Sequence, residues 1–164
     1  DSTHKIFLGV NIMKLTKNEQ KLVNYAKKAV AKYNAERKAK GGVDTIYAFV
    51  LSNSGKIYDG ACLESNAGSI CAERVAIANM VLKETYSSKI ESIVTFDPVP
   101  KDQEESSTPC GICRVFIWES GTTNTTIICG QYIQRKNGWG FVPKMEKYAI
   151  KQLYPKPYKI VKWN

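Results

Sequence analysis

The first clear pattern in the chain is an amphipathic helix that follows Thr16. Its apolar positions recur every three or four residues, which is the period of an α-helix, and lysines fill the opposite face. These apolar positions are Leu22, Tyr25, Ala26, Ala29, Val30 and Tyr33. Thr16 and Glu19 have the spacing of a capping box, in which each side chain bonds to the backbone amide of the other residue. The sequence therefore predicts a helix that begins after Thr16 and ends at Gly41-Gly42.

The rest of the chain alternates short apolar runs with helical segments. The runs predict strands at residues 45–51, 56–58, 90–96 and 125–129, the first two joined as a hairpin. Helices are predicted at residues 71–83, 109–118 and 145–153. Helices between strands imply parallel crossovers and a sheet covered on both faces. We therefore predict an α/β protein with one three-layer α/β/α domain over residues 1–164, of which residues 1–14 form an extended tail.

Composition supports a globular domain and excludes a membrane-spanning one. The 164 residues are 43% hydrophobic and 24% charged, as is usual for globular proteins. The longest uninterrupted apolar run, residues 46–51, is far shorter than the ~20 residues that span a bilayer. No apolar segment follows a basic start, so we expect no signal peptide, a cytoplasmic location and no membrane partner.

The net charge of +9 lies at the two ends of the chain. Residues 1–40 carry ten basic and three acidic residues, and residues 131–164 carry eight and one, whereas the segment between them is acidic. Of the 24 basic residues 20 are lysines, which recognise phosphates and bases less specifically than arginines do. We expect a solvated lysine-rich surface and no nucleic-acid partner, with a polyanion-binding surface as the alternative.

Cysteines and histidine decide which chemistry is available. The odd number of cysteines, five, favours reduced thiols or metal ligands over a disulfide framework; they are Cys62, Cys71, Cys110, Cys113 and Cys129. The single histidine, His4, lies in the N-terminal tail. Its position argues against a Ser-His-Asp hydrolase and against a histidine-ligated zinc protease.

Two short motifs at predicted helix starts indicate a zinc site. Cys71 and Glu73 open one helix, and Cys110 and Cys113 share a face at the start of the next. Helix N-termini stabilise thiolates, and three thiolates leave the fourth tetrahedral position of Zn²⁺ open, as in catalytic sites. A glutamate beside such a site is suited to move protons. The alternative is a structural zinc or cysteines that only pack.

The same motifs resemble those of the cytidine deaminase family, including its blasticidin-S deaminase branch. The family pattern C-A-E-R stands at residues 71–74, and S-P-C-G-x-C-R stands at residues 108–114 with threonine for serine. A third pattern, L-x-P-x-x-aromatic, stands at residues 153–158. Cysteine at the first ligand position is typical of family members that act on free nucleosides.

The resemblance implies a fold, a cofactor and the residues that bind it. The fold would be a three-layer sandwich of the cytidine deaminase type with a mixed five-stranded sheet. Cys71, Cys110 and Cys113 would bind Zn²⁺, and Glu73 would be the catalytic proton carrier.

Further residues of the chain take supporting roles from the same resemblance. Arg74 and Arg114 would hydrogen-bond to the thiolates and offset the net charge of −1 on zinc with three thiolates. The family usually forms homotetramers or homodimers, in which Tyr158 would help to close the substrate pocket of a neighbouring subunit.

The substrate-binding segment departs from the family pattern. A G-x-N-x-E segment, which holds the ribose in cytidine deaminases, is Gly60-Ala61-Cys62-Leu63-Glu64 here, so cysteine replaces asparagine. Asp44 stands where the family often has a base-stacking phenylalanine. A thiol is a poor substitute for an amide that both donates and accepts hydrogen bonds. We expect Asp44, Cys62 and Glu64 to contact an altered substrate, although Cys62 could equally be a core residue.

Taken together, these residues and the family they resemble imply zinc-dependent hydrolytic deamination at the C4 amino group of a free cytidine-like nucleoside, with release of ammonia. The alternative substrate is a blasticidin-S-type nucleoside antibiotic or a modified base. A polynucleotide cytosine deaminase and an inactive zinc-fold binding protein are less favoured by the same residues.

Overall fold

The computed structural model describes residues 13–41, 45–99, 108–135 and 138–158. In these residues the helices are α1 (Lys17–Ala39), α2 (Ala72–Glu84), α3 (Gly111–Ser120) and α4 (Ile150–Leu153). The strands are β1 (Tyr47–Ser52), β2 (Ile57–Ala61), β3 (Ile90–Pro98), β4 (Thr126–Arg135), β5 (Gly138–Phe141) and β6 (Glu146–Ala149). None of the described helices is long and apolar enough to cross a membrane.

The strands form one mixed sheet in the order β2-β1-β3-β4-β5, and β6 also pairs with β4. β1 runs antiparallel to both β2 and β3, so the crossover through α2 joins two strands that are parallel but not adjacent. β3 and β4 are parallel neighbours, connected through α3. β6 pairs antiparallel with the first half of β4, and β5 pairs antiparallel with its second half. The described residues therefore form six strands, and the expected number of five is corrected.

The two faces of the sheet have separate cores because successive side chains of a strand point to opposite sides. In β1, Tyr47 and Phe49 pack with the apolar face of α1, whereas Ala48 and Val50 pack with α2 and α3. All six residues of β1 are buried. The three-layer α/β/α arrangement is thus confirmed, with α1 on one face and the other helices on the opposite face.

The prediction of a helix at residues 145–153 was wrong. Residues 146–149 form β6 and pair with β4 in the register Thr126↔Ala149 to Cys129↔Glu146, and only residues 150–153 are helical. The first half of β4 would otherwise leave one row of backbone donors and acceptors without partners, and β6 supplies them. The predicted start of α3 also moves, because Cys110 is its N-cap and Pro109 precedes the helix.

The N-terminus of α1 is joined to the sheet through Glu19, which is only 2% exposed. The predicted capping box is present: the Thr16 amide donates to Glu19 Oε2 (2.7 Å), and the Glu19 amide donates to Thr16 Oγ1 (3.2 Å). Lys147 Nζ of β6 donates to Glu19 Oε2 (2.6 Å), and the Thr126 hydroxyl donates to Oε1 (2.9 Å). Burial raises the pKa of Glu19, but the bonds from Lys147, Thr16 and Thr126 outweigh burial, so the pKa is lowered.

We expect Glu19→Gln to lower the free energy of unfolding by about 1–3 kcal/mol near neutral pH, because it removes a hydrogen-bonded charge and leaves the Lys147 ammonium without its carboxylate partner. A depressed folded-state pKa stabilises the fold above the unfolded pKa, so the difference should vanish as pH falls through the folded-state value. Urea titration at several pH values measures the difference. Glu36→Gln is the control, since Glu36 pairs with Lys32 at 3.9 Å on the exposed face and should contribute under about 0.5 kcal/mol. A pH-independent difference would contradict the assignment.

Candidate metal centre

Three cysteine thiols meet where the N-termini of α2 and α3 converge. Cys71 is the N-cap of α2, Cys110 is the N-cap of α3, and Cys113 lies in the first turn of α3. Their Sγ atoms lie within 4.8 Å of one another, and those of Cys71 and Cys110 are 3.7 Å apart. Tetrahedral zinc with Zn–S bonds of about 2.3 Å requires sulfurs about 3.8 Å apart. All three are free thiols, so the donor set and its spacing fit Zn²⁺.

The thiols lie at helix ends that favour negative charge. The side chain of Cys71 makes no bond to the backbone of α2, so its sulfur remains available to a ligand. Burial raises the pKa of the Cys110 thiol, but bonds from Cys113, Cys71 and the Ile112 amide outweigh it and lower the pKa. Burial, followed by the charge of Glu73, raises the pKa of the deeper Cys113 thiol. Of these two thiols, Cys110 therefore loses its proton more easily. A bound cation would favour ionisation of Cys113 as well.

Gly60 determines how closely α2 approaches the sheet. A methyl group at this position would clash with the carbonyl oxygen of Ala72 and with the backbone amide of Ala76. The two alanines are one turn apart on α2 and both are fully buried, so β2 lies directly against the first turn of the helix. This contact holds the N-terminus of α2, with Cys71 and Glu73, beside the end of β2.

Glu73 lies in the first turn of α2 and is only 6% exposed. Its environment raises the pKa of the carboxyl, mainly through burial, while its backbone bond, the Cys113 thiol and the charge of Arg74 act in the opposite direction. A carboxyl in such surroundings can hold a proton as well as release one. The predicted catalytic glutamate therefore lies at the thiol cluster, and its side chain is shielded from solvent.

The two predicted supporting arginines differ in what they contact. Arg74 Nη2 donates to the Ser69 carbonyl (3.1 Å), and a hydrogen bond with Cys71 raises the pKa of Arg74. Arg114 instead directs its guanidinium to oxygen atoms: Nε to the Pro109 carbonyl (2.8 Å), Nη2 to Thr108 Oγ1 (2.9 Å) and Nη1 to the Leu153 carbonyl (3.0 Å). The expected contact with a thiolate thus has a structural counterpart for Arg74, whereas Arg114 bonds to the loop that carries Cys110.

The predicted substrate-binding residues are only partly brought together. Cys62 is half-buried at the end of β2; burial and the nearby Cys71, Glu64 and Glu73 raise the pKa of its thiol. Glu64 is exposed. Tyr158 is 79% exposed, and its amide donates to the hydroxyl of Tyr154 (3.0 Å). Asp44 lies outside the described residues. Cys62 therefore lies near the cluster, Glu64 lies near Cys62 at the surface, and Tyr158 is free to contact another molecule.

Sequence reasoning missed the structural parts of this site. Gly60 and the Leu153 carbonyl received no role, and the bonds of Arg114 to residues 108–109 were not expected. The small residues Ala72 and Ala76, one turn apart, are a signal that a helix packs closely against backbone. The carbonyl partners of Arg114 have no corresponding signal, because every residue has a carbonyl.

This chain matches a protein-family model and resembles known proteins. The family model is described as the cytidine and deoxycytidylate deaminase zinc-binding region, and it matches residues 16–129. A cytidine deaminase of Mycoplasma pneumoniae is 38% identical over 61 residues. That match covers 37% of this chain and 43% of the relative, which is less than half of the relative's length.

Solved structures show the same fold at low sequence identity. The cytidine deaminase of Burkholderia pseudomallei has a TM-score of 0.62 and 18% identity, with 88% of this chain and 100% of that chain covered. The cytidine deaminase of Bacillus anthracis has a TM-score of 0.51 and 16% identity, with 83% and 86% covered. At these identities the likeness concerns the fold.

Proposed function

Because the chain belongs to the cytidine and deoxycytidylate deaminase family of zinc-dependent aminohydrolases, we propose that it hydrolytically deaminates a free cytidine-like nucleoside at C4. The observation that carries this proposal is the cluster of three thiols with the buried carboxyl of Glu73 beside it. Three ligands leave one tetrahedral position for a reactant, whereas a structural zinc site uses four protein ligands. A structural zinc would also give no reason to bury a carboxyl at the same point.

The cluster is suited to hold the metal and to leave Glu73 free for proton transfer. Cys71, Cys110 and Cys113 would hold Zn²⁺, and Arg74 would reduce the excess negative charge of the three thiolates. When bound, Zn²⁺ supplies Lewis-acid activation of water near neutral pH. Glu73 needs no place among the ligands, because three sulfurs already account for the protein side of the site.

Glu73 would move two protons in the reaction. Its carboxylate takes a proton from the attacking water and delivers it to N3 of the ring as the new C4–O bond forms. It then transfers the second proton from that oxygen to the amino group, so that the C4–N bond breaks and ammonia leaves. The 4-oxo product retains the oxygen of water. Burial of Glu73 supports this assignment, since its raised pKa allows the carboxyl to carry a proton between these atoms.

We expect Glu73→Gln to keep one zinc per chain and the wild-type fold, while turnover falls by at least about 10²–10⁴-fold, because the amide cannot accept or deliver the proton. Ammonia release under saturating substrate measures turnover, and elemental analysis measures zinc. Cys110→Ala should lose zinc as well as activity. Cys129→Ala is the matched control: Cys129 is a buried cysteine of β4, and its loss should leave zinc in place. Full zinc in Cys110→Ala, or near-normal turnover in Glu73→Gln, contradicts the proposal.

We further propose that cytidine is not the preferred substrate. The half-buried Cys62 lies near Cys71 and Glu73, at the position where the resemblance places an asparagine that holds the ribose. A pocket that hydrogen-bonds a hydroxyl discriminates strongly, because a missing partner leaves buried polar groups unpaired. Glu64 remains available for a ribose hydroxyl or for a cationic group of an antibiotic or modified base. The position of Cys62 near the cluster therefore supports a nucleoside analogue as the substrate.

We expect Cys62→Asn to raise kcat/KM for cytidine about tenfold, the equivalent of one hydrogen bond of about 1.4 kcal/mol. The measurement is kcat/KM for cytidine, deoxycytidine, blasticidin S and C5-substituted analogues with both proteins. Cys62→Ser is the matched control, since it changes the thiol without adding an amide, and it should raise cytidine turnover far less. If the wild type prefers cytidine and turns it over at ~10⁵ M⁻¹s⁻¹ or more, the altered-pocket proposal fails.

We also propose a homo-oligomer in which Tyr158 acts on a neighbouring subunit. Tyr158 is itself largely exposed. The outer face of α2 and α3 also carries exposed apolar side chains: Leu82 is 76% and Phe116 is 42% exposed. These two side chains line an open cavity of about 440 Å³ together with Tyr86 and Arg74. Exposed apolar surface of this kind is typical of interfaces between subunits. The site then includes a residue of a second copy.

We expect light scattering to give a dimer or tetramer for the wild type, and we expect Leu82→Lys to shift it toward the monomer because the apolar contact is lost. Lys83→Ala changes the adjacent, exposed position of α2 and should keep the wild-type mass. Tyr158→Ala should keep the wild-type mass but lower turnover. A wild-type protein that is monomeric and fully active at the assay concentration would exclude the role of Tyr158 on a neighbour.

A further inference from the structure

Arg114 occupies the junction of three segments and bonds to all of them. It lies in the first turn of α3, directly after Cys113. Its Nε and Nη2 atoms donate to the Pro109 carbonyl (2.8 Å) and to Thr108 Oγ1 (2.9 Å), both in the loop before Cys110. Its Nη1 atom donates to the Leu153 carbonyl (3.0 Å) at the end of α4. Every nitrogen of the guanidinium therefore has an oxygen partner.

The contacts with the loop fix the peptide that carries Cys110. The Pro109 carbonyl belongs to the same planar peptide unit as the Cys110 amide, so holding that oxygen sets the plane from which the Cys110 side chain projects. Cys110 is an exposed residue at the N-cap of α3. The bond to Arg114 is charge-assisted and thus stronger than a bond between neutral groups. Arg114 thereby restricts the orientation of Cys110, the most exposed residue of the cluster.

The contact with Leu153 ties the C-terminal segment to the same point. The Leu153 carbonyl lies in the last turn of α4, where carbonyls lack a partner within the helix. Next to it, the ring of Tyr154 packs edge-on against Trp118 of α3, with centroids 6.1 Å apart and an interplanar angle of 81°. The hydroxyl of Tyr154 in turn accepts the amide of Tyr158 (3.0 Å). A series of contacts thus runs from the Cys110 loop to Tyr158.

From these contacts we infer that Arg114 is a positioning residue of the metal centre, which sets the Cys110 thiol through the Pro109 carbonyl and anchors residues 153–158 at the same junction. Its role is geometric, because its nitrogens point at three oxygens in different directions. The planar guanidinium presents five donors in a fixed fork, whereas the ammonium of lysine is a single point donor on a flexible stem. The inference rests on the proposed assignment of Cys110 as a zinc ligand.

The test is zinc affinity, measured by competition with a fluorescent zinc chelator, with hydrogen exchange of residues 153–158 as a second measurement. We expect Arg114→Ala to weaken zinc binding about 10–100-fold, as loss of a group that orients a ligand does, and to speed exchange at Tyr158. Arg114→Lys keeps the positive charge but loses the planar set of donors. Its zinc affinity should therefore stay nearer to that of Arg114→Ala than to that of the wild type. Full recovery with lysine would overturn the inference, because charge alone would then suffice.

Three further variants separate positioning from general loss of stability. Thr108→Val removes one of the three bonds and leaves Arg114 in place, so it should weaken zinc binding severalfold in the same direction. Trp118→Leu loosens residues 153–158 without touching the Cys110 loop and should keep zinc affinity within about threefold. Lys89→Ala removes a comparable bond to the Glu119 carbonyl (3.4 Å) at the far end of α3 and should change neither measurement.

The outcomes distinguish this inference from the proposed function. If Cys110→Ala loses zinc but Arg114→Ala and Thr108→Val bind it as tightly as the wild type, the inference fails and the proposed function stands. If Trp118→Leu loses as much affinity as Arg114→Ala, packing of the C-terminal segment accounts for the effect and the inference fails. If Cys110→Ala keeps its zinc, the ligand assignment itself is wrong.

Discussion

The metal centre depends on the close approach of β2 to the first turn of α2. This approach is possible because Gly60 has no side chain where it meets the backbone of Ala72 and Ala76. Helix α2 begins directly over this contact, with Cys71 as its N-cap. A wider separation would move Cys71 away from Cys110 and Cys113, which belong to another helix on the same face of the sheet. The absence of one methyl group is therefore a condition for three sulfurs within 4.8 Å.

The charges of the site are balanced by groups of different kinds. Helix N-termini and Arg74 favour the thiolates, while burial of Glu73 favours its protonated form. Arg114, the other arginine of the motifs, bonds to carbonyl and hydroxyl oxygens of the surrounding segments. Arg74 thus bonds to the thiol of Cys71, whereas Arg114 bonds to the backbone carbonyl that precedes Cys110. Two arginines that look equivalent in the motifs consequently contribute through different interactions.

Patterns within a few residues predicted structure well. The capping box at Thr16 and Glu19 is present, and α1, α2 and α3 lie within a few residues of their predicted bounds. The hairpin of β1 and β2 and the parallel pair of β3 and β4 also follow from short apolar runs and the helix between them. Predictions failed where pairing with a distant strand decides conformation. Residues 146–149 carry no strong strand pattern, and they are extended because β4 offers them backbone partners.

The sequence by itself determined which residues stand at the two helix starts, three cysteines and a glutamate, and which family they indicate. Such motifs are readable because the spacing of ligands along a helix determines which face they share. Tertiary structure alone decided the six-strand sheet of the described residues, the partners of Arg114 and the proximity of Cys62 to the cluster. These features depend on backbone atoms and on residues far apart in the chain. Backbone carbonyls are chemically the same at every position, so only the folded chain selects which of them an arginine meets.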